Sequence, residues 1–390
     1  MQLWLPAQIL IGASLILDSL LRFVLLCLRG LKSPVAGPGD RKGQNATNPC
    51  LLLIPAHNEA GTIGPTVATL LPQLAEWPGA ALWVIADRCT DTTAAEAATA
   101  GAAVAERRAG SLGKGAVLAW WLKEHAHVWR PGDCLLILDA DSRLAEQSLT
   151  AIRAAMSSQA VAAQAFVAPA ASSKAGRLAG WSEILMQRID DEARLRCGWN
   201  VPLRGTGMAF RAEVLAELAP RLHTLAEDLE LDVLLAARQA KVLFVPQATI
   251  YDPKPQQAAG ASRQRARWLQ GQLQVLRAYW REAVQALSQG GLGAWMLLIL
   301  LLLRPKTVFH GLRLMLLAAG LLLGPAGHWL AGLALSGLVL DALYYLGGVT
   351  LVDDRRLYLQ DLLAAPRYVA MWLYSLALAT VRRGWLKAGR

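Results

Sequence analysis

The stretch Cys134-Leu135-Leu136-Ile137-Leu138-Asp139-Ala140-Asp141 decides the fold. An unbroken apolar run of this length reads as a strand buried on both faces, and the two carboxylates after it stand where such a strand leaves its sheet. Two earlier runs repeat the pattern. Leu51-Leu52-Leu53-Ile54 ends at Pro55 and leads into a helix expected over residues 60–76. Ala81 to Ala86 ends at Asp87 and leads to an alanine-rich helix expected over residues 94–103. Strands alternating with helices imply an α/β fold whose mostly parallel central sheet is covered on both faces. Ligands of such sheets bind at the carboxyl ends of the strands.

The candidate residues fall at those ends. Asp139 and Asp141 have the spacing with which one or both carboxylates reach a hard divalent ion, the other organising water or hydroxyls. On its own, D-x-D is a weak signal; directly after a buried strand it is a stronger one. Asp87 suits hydrogen bonding to a nucleobase or ribose, and turn capping explains it equally, as it does Asp91. Gly113-Lys114-Gly115 joins permissive backbone to a positive charge suited to phosphate, with a flexible turn as the plain alternative. Gly205-Thr206-Gly207 allows close backbone approach beside an apolar strand.

Glu227-Asp228 opens a helix carrying Leu229, Leu231 and Val233-Leu234-Leu235. Helix capping accounts for the acids structurally; chemically, Asp228 is placed to act as a general base. Gln264-Arg265-Ala266-Arg267-Trp268 puts Gln264, Arg267 and Trp268 on one helical face. There Arg267 can neutralise a diphosphate, Gln264 orient an oxygen and Trp268 form an apolar wall. An amphipathic helix lying on lipid would use similar residues.

Other classes lose support. No G-x-G-x-x-G follows the first strand and no G-x-x-x-x-G-K-[ST] occurs, which removes the most specific signs of a dinucleotide oxidoreductase and a P-loop ATPase. Cys27, Cys50, Cys89, Cys134 and Cys197 are odd in number and widely spaced, against a disulfide scaffold or structural zinc site and in keeping with a reducing compartment. Cys89, beside a motif, reads as a small packing residue. The net charge of +10 comes without a nucleic-acid module, so no nucleic-acid partner is expected. Much of the basic excess flanks apolar segments, where it suits anionic lipid and sets topology.

The 390 residues accommodate one sizeable α/β domain and additional helices, and the hydrophobic fraction of 54% is concentrated at the two ends. Residues 3–28 are long enough to cross a hydrocarbon core and lack a basic leader and cleavage site, which predicts a retained anchor over residues 1–30. Asp18 and Arg22 interrupt it at i,i+4, either pairing with each other or facing another membrane helix. Arg29, Lys32, Arg41 and Lys42 place the linker, residues 31–49, in the cytoplasm, where the sequon Asn45-Ala46-Thr47 goes unused. A catalytic domain is expected over residues 50–275 and interfacial helices over residues 276–305, the short apolar run Leu292 to Leu303 included. A transmembrane hairpin is expected over residues 306–348, crossing at 306–324 and 328–348 around Gly324-Pro325-Ala326-Gly327. Two crossings keep Arg304 and Lys306 on the same side as Arg355, Arg356 and the basic tail, residues 349–390, in which residues 366–382 form an interfacial segment.

Together these motifs resemble the processive-type branch of the inverting family 2 glycosyltransferases, which holds cellulose, chitin and hyaluronan synthases and the ceramide glucosyltransferases. The resemblance covers nearly the whole chain. Ile54-Pro55-Ala56-His57-Asn58-Glu59 is similar to the family's opening strand and nucleotide-contacting turn, with Glu59 as the side-chain contact. Ala86-Asp87-Arg88-Cys89-Thr90-Asp91 is similar to its second acidic element, which carries nucleobase recognition to Asp87. Gly113-Lys114-Gly115 resembles the lysine loop near the nucleotide. Asp139-Ala140-Asp141 matches the element that meets the donor diphosphate through Mg²⁺ or Mn²⁺, and Gln264-Arg265-Ala266-Arg267-Trp268 is an intact Q-x-x-R-W. Glu227-Asp228 matches the E-D element with Asp228 as base, while Ala226 stands where the family commonly has Thr.

The resemblance implies a GT-A-like fold with transmembrane and interfacial helices at both ends. It implies an inverting displacement in which Asp228 activates an acceptor hydroxyl and Arg267 and the metal stabilise the departing diphosphate. The donor class is a nucleotide-sugar, UDP-linked by analogy, and the acceptor a lipid or a growing polysaccharide. The expected location is the cell inner membrane or another cytoplasmic membrane, with membrane lipids and a homo-oligomer or export partner as company. The alternative is a catalytically inactive membrane scaffold that retains nucleotide binding.

Overall fold

The computed structural model describes residues 4–30, 48–158, 160–170, 174–253, 258–302 and 306–364, with isolated positions up to 374; side chains are described from Ile16 onward, except at 174–175, 258–265, 300, 302 and 307. The linker with its sequon, Arg304 and most of the segment 366–382 lie outside the described residues.

Helix α1 (Trp4–Leu28) precedes the sheet domain. The domain's first half alternates β1 (Cys50–Ala56), α2 (Ile63–Leu70), β2 (Ala81–Asp87), α3 (Thr93–Thr99), β3 (Ala103–Arg107), α4 (Lys114–Glu124) and β4 (Cys134–Ile137). The expected helix over 60–76 is therefore α2 continued by a 3-10 turn, Leu71–Glu76, with Pro72 in its first turn. The expected helix over 94–103 stops at Thr99, because Gly101 turns the chain at φ +100° and Ala103 already begins a strand.

The second half adds β5 (Arg143–Leu144), α5 (Ser148–Met156), β6 (Ala162–Ala170) and α6 (Lys174–Leu185). A π-helical turn, Met186–Asp191, runs on into α7 (Glu192–Arg196). Next come β7 (Met208–Arg211), α8 (Ala212–Leu218), α9 (Glu227–Ala237) and β8 (Val242–Pro253).

All eight strands share one sheet in the order β3-β2-β1-β4-β7-β6-β8-β5. The half β3-β2-β1-β4 is parallel throughout, as its continuous apolar runs require. Beyond β4 the sheet is mixed: β7 runs antiparallel to β4 and β6, β8 returns parallel to β6, and β5 closes antiparallel to β8. Successive side chains alternate between two cores. Leu51, Leu53 and Ile85 join Trp121 and Phe210 on one face, while Leu52, Ile54 and Val84 join Ile63 and Trp77 on the other. Cys50 and Cys134 face each other in neighbouring strands, and all five cysteines are free thiols.

The carboxyl-terminal third is helical: α10 (Ala258–Ala278), α11 (Trp280–Gln289), α12 (Gly291–Leu302), α13 (Lys306–Leu322), α14 (His328–Gly348) and α15 (Arg355–Leu362). A 3-10 turn at Gly324–Gly327 joins α13 to α14, so the expected hairpin has its bend at Gly-Pro-Ala-Gly. Among the described residues one helical stretch, Gly324–Leu351, is long and apolar enough to cross a membrane by length and composition; Val308–Leu322 is shorter. Gly347 lets α1 lie close to α14, since a Cβ there would stand 3.1 Å from Leu26.

Asp18 and Arg22 do not pair with each other; Asp18 faces another helix of the carboxyl-terminal third, as one of the two expected arrangements has it, whereas Arg22 faces the sheet domain, which neither arrangement anticipated. Asp18 pairs with Arg313 of α13, and Arg22 Nη1 lies 2.6 Å from Asp190 Oδ2 in the π-helical turn. Arg313 Nη1 also donates to Asp341 Oδ2 of α14 at 2.7 Å, and Ser19 Oγ donates to Asp341 Oδ1 at 2.6 Å. Gly337 leaves room for that guanidinium, because a Cβ there would meet Arg313 Nε at 2.8 Å. One buried chain of charge thus ties α1, α13, α14 and the sheet domain together.

Candidate active site

The carboxyl ends of β1, β2 and β4 open on the same rim. Leaving β1, Asn58 takes a left-handed conformation, φ +55°, and its Oδ1 accepts the Thr90 N–H at 2.8 Å, lacing the β1 turn to the β2 turn. Asp91 reinforces the lacing by accepting the N–H groups of Ala60 at 3.1 Å and Thr93 at 3.0 Å. Slight burial opposes its charge, but the hydrogen bond donated by the Thr93 hydroxyl, with these N–H bonds, outweighs it and holds the Asp91 carboxyl below its usual range. Asp91 is therefore a turn organiser, the structural role open to it from the sequence. Glu59 stands half-buried on this turn, its N–H donated to Thr93 Oγ1 at 2.7 Å. Cys89 Sγ sits 3.6 Å from the Ala56 carbonyl, a packing position.

Asp87 is buried at the end of β2, and Arg107 Nη1 of β3 lies 2.7 Å from its Oδ1 while Arg88 grips it from the other side. Any contact it makes with a nucleobase or ribose is made from within this ion pair.

The centre of the site is Lys114. It begins α4, where Gly113 turns the chain at φ +111°, and its Nζ donates to Asp139 Oδ1 at 2.6 Å and to the Gly205 carbonyl at 2.6 Å. Burial disfavours its charge, but Asp139, and after it Glu227 and Asp228, more than offset this and hold the ammonium above its ordinary range. The loop that carries Gly205 is fixed in turn. Thr206 Oγ1 accepts the Asp139 N–H at 3.1 Å and meets Ser142 Oγ at 2.9 Å, and Gly207 has no room for a side chain, since a Cβ would lie 2.7 Å from Ile250.

Glu227 and Asp228 open α9 beneath that loop: a Cβ on Gly205 would lie 3.9 Å from Asp228 Oδ2 and 4.0 Å from Glu227 Oε1. The capping position before them is Ala226, with no side-chain cap. Burial, then the neighbouring Asp228, push the Glu227 carboxyl up to about 7 against the pull of Lys114. Two adjacent carboxyls disfavour a double negative charge, which is one reason why Glu227 holds its proton more tightly than a free side chain.

The helix of the Gln264 motif reaches the same place. Gly271 of α10 presses on the segment before Glu227: a Cβ there would stand 2.7 Å from Ala226 Cβ and 3.1 Å from Ala226 N. Arg267, one turn earlier, shares that face and is half-buried, while Trp268 is 42% exposed. The side chain of Gln264 lies outside the described residues.

Asp139 and Asp141 are both half-buried at the rim. Among the described residues no group of three His, Cys, Asp or Glu side chains forms a metal cage. Two hard carboxylates nevertheless fit a Mg²⁺ or Mn²⁺ ion that takes its remaining ligands from a diphosphate and water, and Lys114 Nζ marks where Asp139 accepts a cation.

Several residues that hold the site carry no motif. Gln164, fully buried in β6, accepts the Arg204 N–H at 3.0 Å and donates to the Thr206 carbonyl at 3.0 Å. Asp232 accepts the Leu203 N–H at 2.9 Å. Glu230 accepts those of His223 and Thr224, both at 3.1 Å, and so shapes the approach to Glu227. The available signal was a polar residue interrupting an apolar element, as Gln164 does between alanines.

A family model described as glycosyl transferase family group 2 matches residues 134–381. No curated protein matches the chain by sequence. Among solved structures, the chain is similar to a mannosyltransferase from Pyrobaculum calidifontis in complex with GDP-Man and Mn²⁺, at 16% identity and a TM-score of 0.52, covering 95% of this chain and 97% of that one. It also matches glucosyl-3-phosphoglycerate synthase from Mycobacterium tuberculosis with Mg²⁺ and UDP, at 17% identity and a TM-score of 0.41, covering 64% and 85%. A third match is mannosyl-3-phosphoglycerate synthase from Rubrobacter xylanophilus, at 17% identity and a TM-score of 0.42, covering 62% and 79%. The first of these extends over the whole architecture and gives the GT-A-like fold.

Proposed function

The chain belongs to glycosyl transferase family group 2, and we propose that it transfers a sugar, with inversion, from a nucleotide-sugar to a lipid or saccharide hydroxyl at the cytoplasmic face of a membrane. The observation that carries this reading is the convergence of Lys114, Asp139, Glu227 and Asp228 on one strand-end rim. Asp228 takes the proton from the acceptor hydroxyl as its oxygen attacks the anomeric carbon. The bond from that carbon to the diphosphate breaks, and Lys114 and Arg267 meet the charge that accumulates on the leaving group. Glu227, carrying a proton for part of the time at neutral pH, keeps two negative charges from crowding the attacking oxygen.

Asp139 and Asp141 would hold Mg²⁺ or Mn²⁺, which when bound neutralises the diphosphate as a Lewis acid. The Pyrobaculum enzyme's complex with GDP-Man and Mn²⁺ supports this donor class. One displacement needs no carboxylate nucleophile, so a single base suffices, and it inverts the anomeric centre. Helices α1, α13 and α14 are read as the crossings and α11 and α12 as the interfacial layer. The exposed Trp280 and Trp295 suit a headgroup boundary.

The test is a metal-dependent turnover screen of nucleotide-sugars with the full chain in native-like membranes, followed by mass identification of the product. A lipid carrying one added sugar marks single addition, and a ladder marks a polymerase. Nucleotide binding without turnover of any donor would overturn the transfer.

A further inference from the structure

The carboxyl ends of α1 and α14 lie together where Gly347 admits Leu26, and a cleft of about 530 Å³ opens beside them, a volume in the range of small-ligand sites. Arg29 lines it from the end of α1, Arg188 from the π-helical turn, Glu192 from α7, Thr350 and Asp353 from the chain after α14, and Arg355 from the start of α15. Arg29 Nε donates to the Arg188 carbonyl at 2.6 Å, and its Nη2 lies 3.2 Å from Glu192 Oε2. Arg188 Nη1 reaches the other oxygen, Oε1, at 3.4 Å, while its guanidinium lies 4.3 Å over the Phe166 ring. One carboxylate thus serves two guanidiniums, which are held in place by contacts that leave other N–H donors of each fork unused. Among the described residues neither Arg355 nor Asp353 forms an ion pair. Three guanidiniums therefore stand against two carboxylates in the lining, and one positive charge is in excess.

The surface that leads to the cleft is apolar. Leu335, Val339, Leu343 and Leu346 are 43% to 57% exposed and follow one another along α14 on a single helical face, which ends at Thr350 in the cleft. At about 1.5 Å per residue this stripe is roughly 16 Å long, close to the depth of one leaflet's hydrocarbon, about 15 Å. A dissolved anion makes no use of such a stripe, whereas acyl chains cover it. A zwitterionic lipid brings the chains but no net charge to cancel the excess. An anionic phospholipid brings both, and its phosphate oxygens suit guanidinium forks.

We propose that this cleft binds the phosphodiester of an anionic phospholipid, with Arg188 and Arg355 as its principal contacts, Arg29 in support and the acyl chains lying along the α14 stripe. One phosphodiester cancels the one excess charge. Asp353 opposes it, so the site favours a monoanion over a phosphate dianion. The proposal rests on the membrane reading above, in which α1 and α14 both end at the cytoplasmic face. It is independent of sugar transfer, since this lipid is a bound partner and not the acceptor.

The experiment uses the full chain in phosphatidylcholine nanodiscs with UDP and Mg²⁺ present. In one arm the discs carry a rising fraction of phosphatidylglycerol; in the other, undoped discs are titrated with inorganic phosphate. The thermal unfolding midpoint is read in both, because a ligand of the native state raises it. The wild type is expected to rise to a plateau with phosphatidylglycerol and not with phosphate. Arg355→Gln is expected to need about fivefold more phosphatidylglycerol for the half-maximal rise, the factor one arginine contributes near an anionic surface. Asp353→Asn removes the opposing charge and is expected to shift the curve the other way by a similar factor. Both positions are exposed, so these variants are expected to fold. Arg108→Gln takes the same charge from an exposed arginine outside the cleft and is expected to match the wild type. Equal curves for Arg355→Gln and Arg108→Gln, or no rise in the wild type, overturn the site, and an equal rise with inorganic phosphate overturns the lipid as its ligand. Co-elution of the chain with the discs tests the membrane reading separately: without it that reading falls and the lipid site with it, whereas co-elution with equal curves removes the site alone.

Discussion

Lys114 Nζ lies 2.6 Å from Asp139 Oδ1, so one ammonium ties the first turn of α4 to the strand-end carboxylate expected to face a donor diphosphate. Its second bond, to the Gly205 carbonyl at 2.6 Å, anchors the loop over Glu227 and Asp228. Lys114→Met keeps the apolar stem and removes the charge. Nucleoside-diphosphate affinity in Mg²⁺, measured calorimetrically, is expected to fall at least about tenfold, in line with the loss of one charge-assisted hydrogen bond.

Glu227 gives the site a pH signature. Its carboxyl titrates near 4.5 when unperturbed and is pushed up to about 7 in the fold by burial and Asp228. The native state therefore binds this proton more tightly than the unfolded state, and the group's contribution to stability is lost as pH rises from about 4.5 to about 7. Comparing unfolding midpoints of the wild type and Glu227→Gln across that range isolates the effect. The wild type is expected to lose stability relative to the variant as pH rises; parallel curves would place the Glu227 titration outside this window.

Two glycine substitutions have opposite expected outcomes. Gly271→Ala forces a Cβ to 2.7 Å from Ala226 Cβ, so α10 must move, and Arg267 with it. The expected loss is about 1–3 kcal/mol of stability, as for an overpacked core, together with lowered turnover. Gly64→Ala in α2 meets only ordinary contacts, the nearest at 3.9 Å, and is expected to stabilise the protein by about 0.5–1 kcal/mol. Denaturation midpoints of both variants decide.

Arg313 is buried between Asp18 and Asp341. Arg313→Met leaves two buried carboxylates without their partner and is expected to cost about 3–5 kcal/mol, read as loss of folded protein in detergent. Adding Asp18→Asn and Asp341→Asn to the same chain removes the uncompensated charge, and most of the folded fraction is expected to return.

The parts of the fold that could be read from the sequence are those set by local pattern. Strands β1, β2 and β4 are unbroken apolar runs because both faces are covered, and the carboxylates after them had to stand at the sheet's ligand-binding rim. Strand β3 was not readable, because Ala103 to Arg107 continues an alanine-rich helix and its burial depends on β2. The mixed half of the sheet depends on pairings between distant segments such as β6 and β8. In the site, Lys114, Asp139, Glu227 and Asp228 were legible because each belongs to a short motif. Gln164, Glu230 and Asp232 were not, since their role is to satisfy backbone groups brought to them by the fold. Likewise, Asp190, Asp191 and Arg194 belong to no motif, and only the fold buries them.

The central claim is that Asp228 is the base of a glycosyl transfer, and Asp228→Asn tests it most directly when donor turnover and nucleotide binding are measured on the same membranes. Turnover abolished with nucleotide affinity retained is the expected result. Turnover unchanged in Asp228→Asn, while Asp141→Asn abolishes it, would contradict the assignment and require the base to be sought elsewhere on the rim.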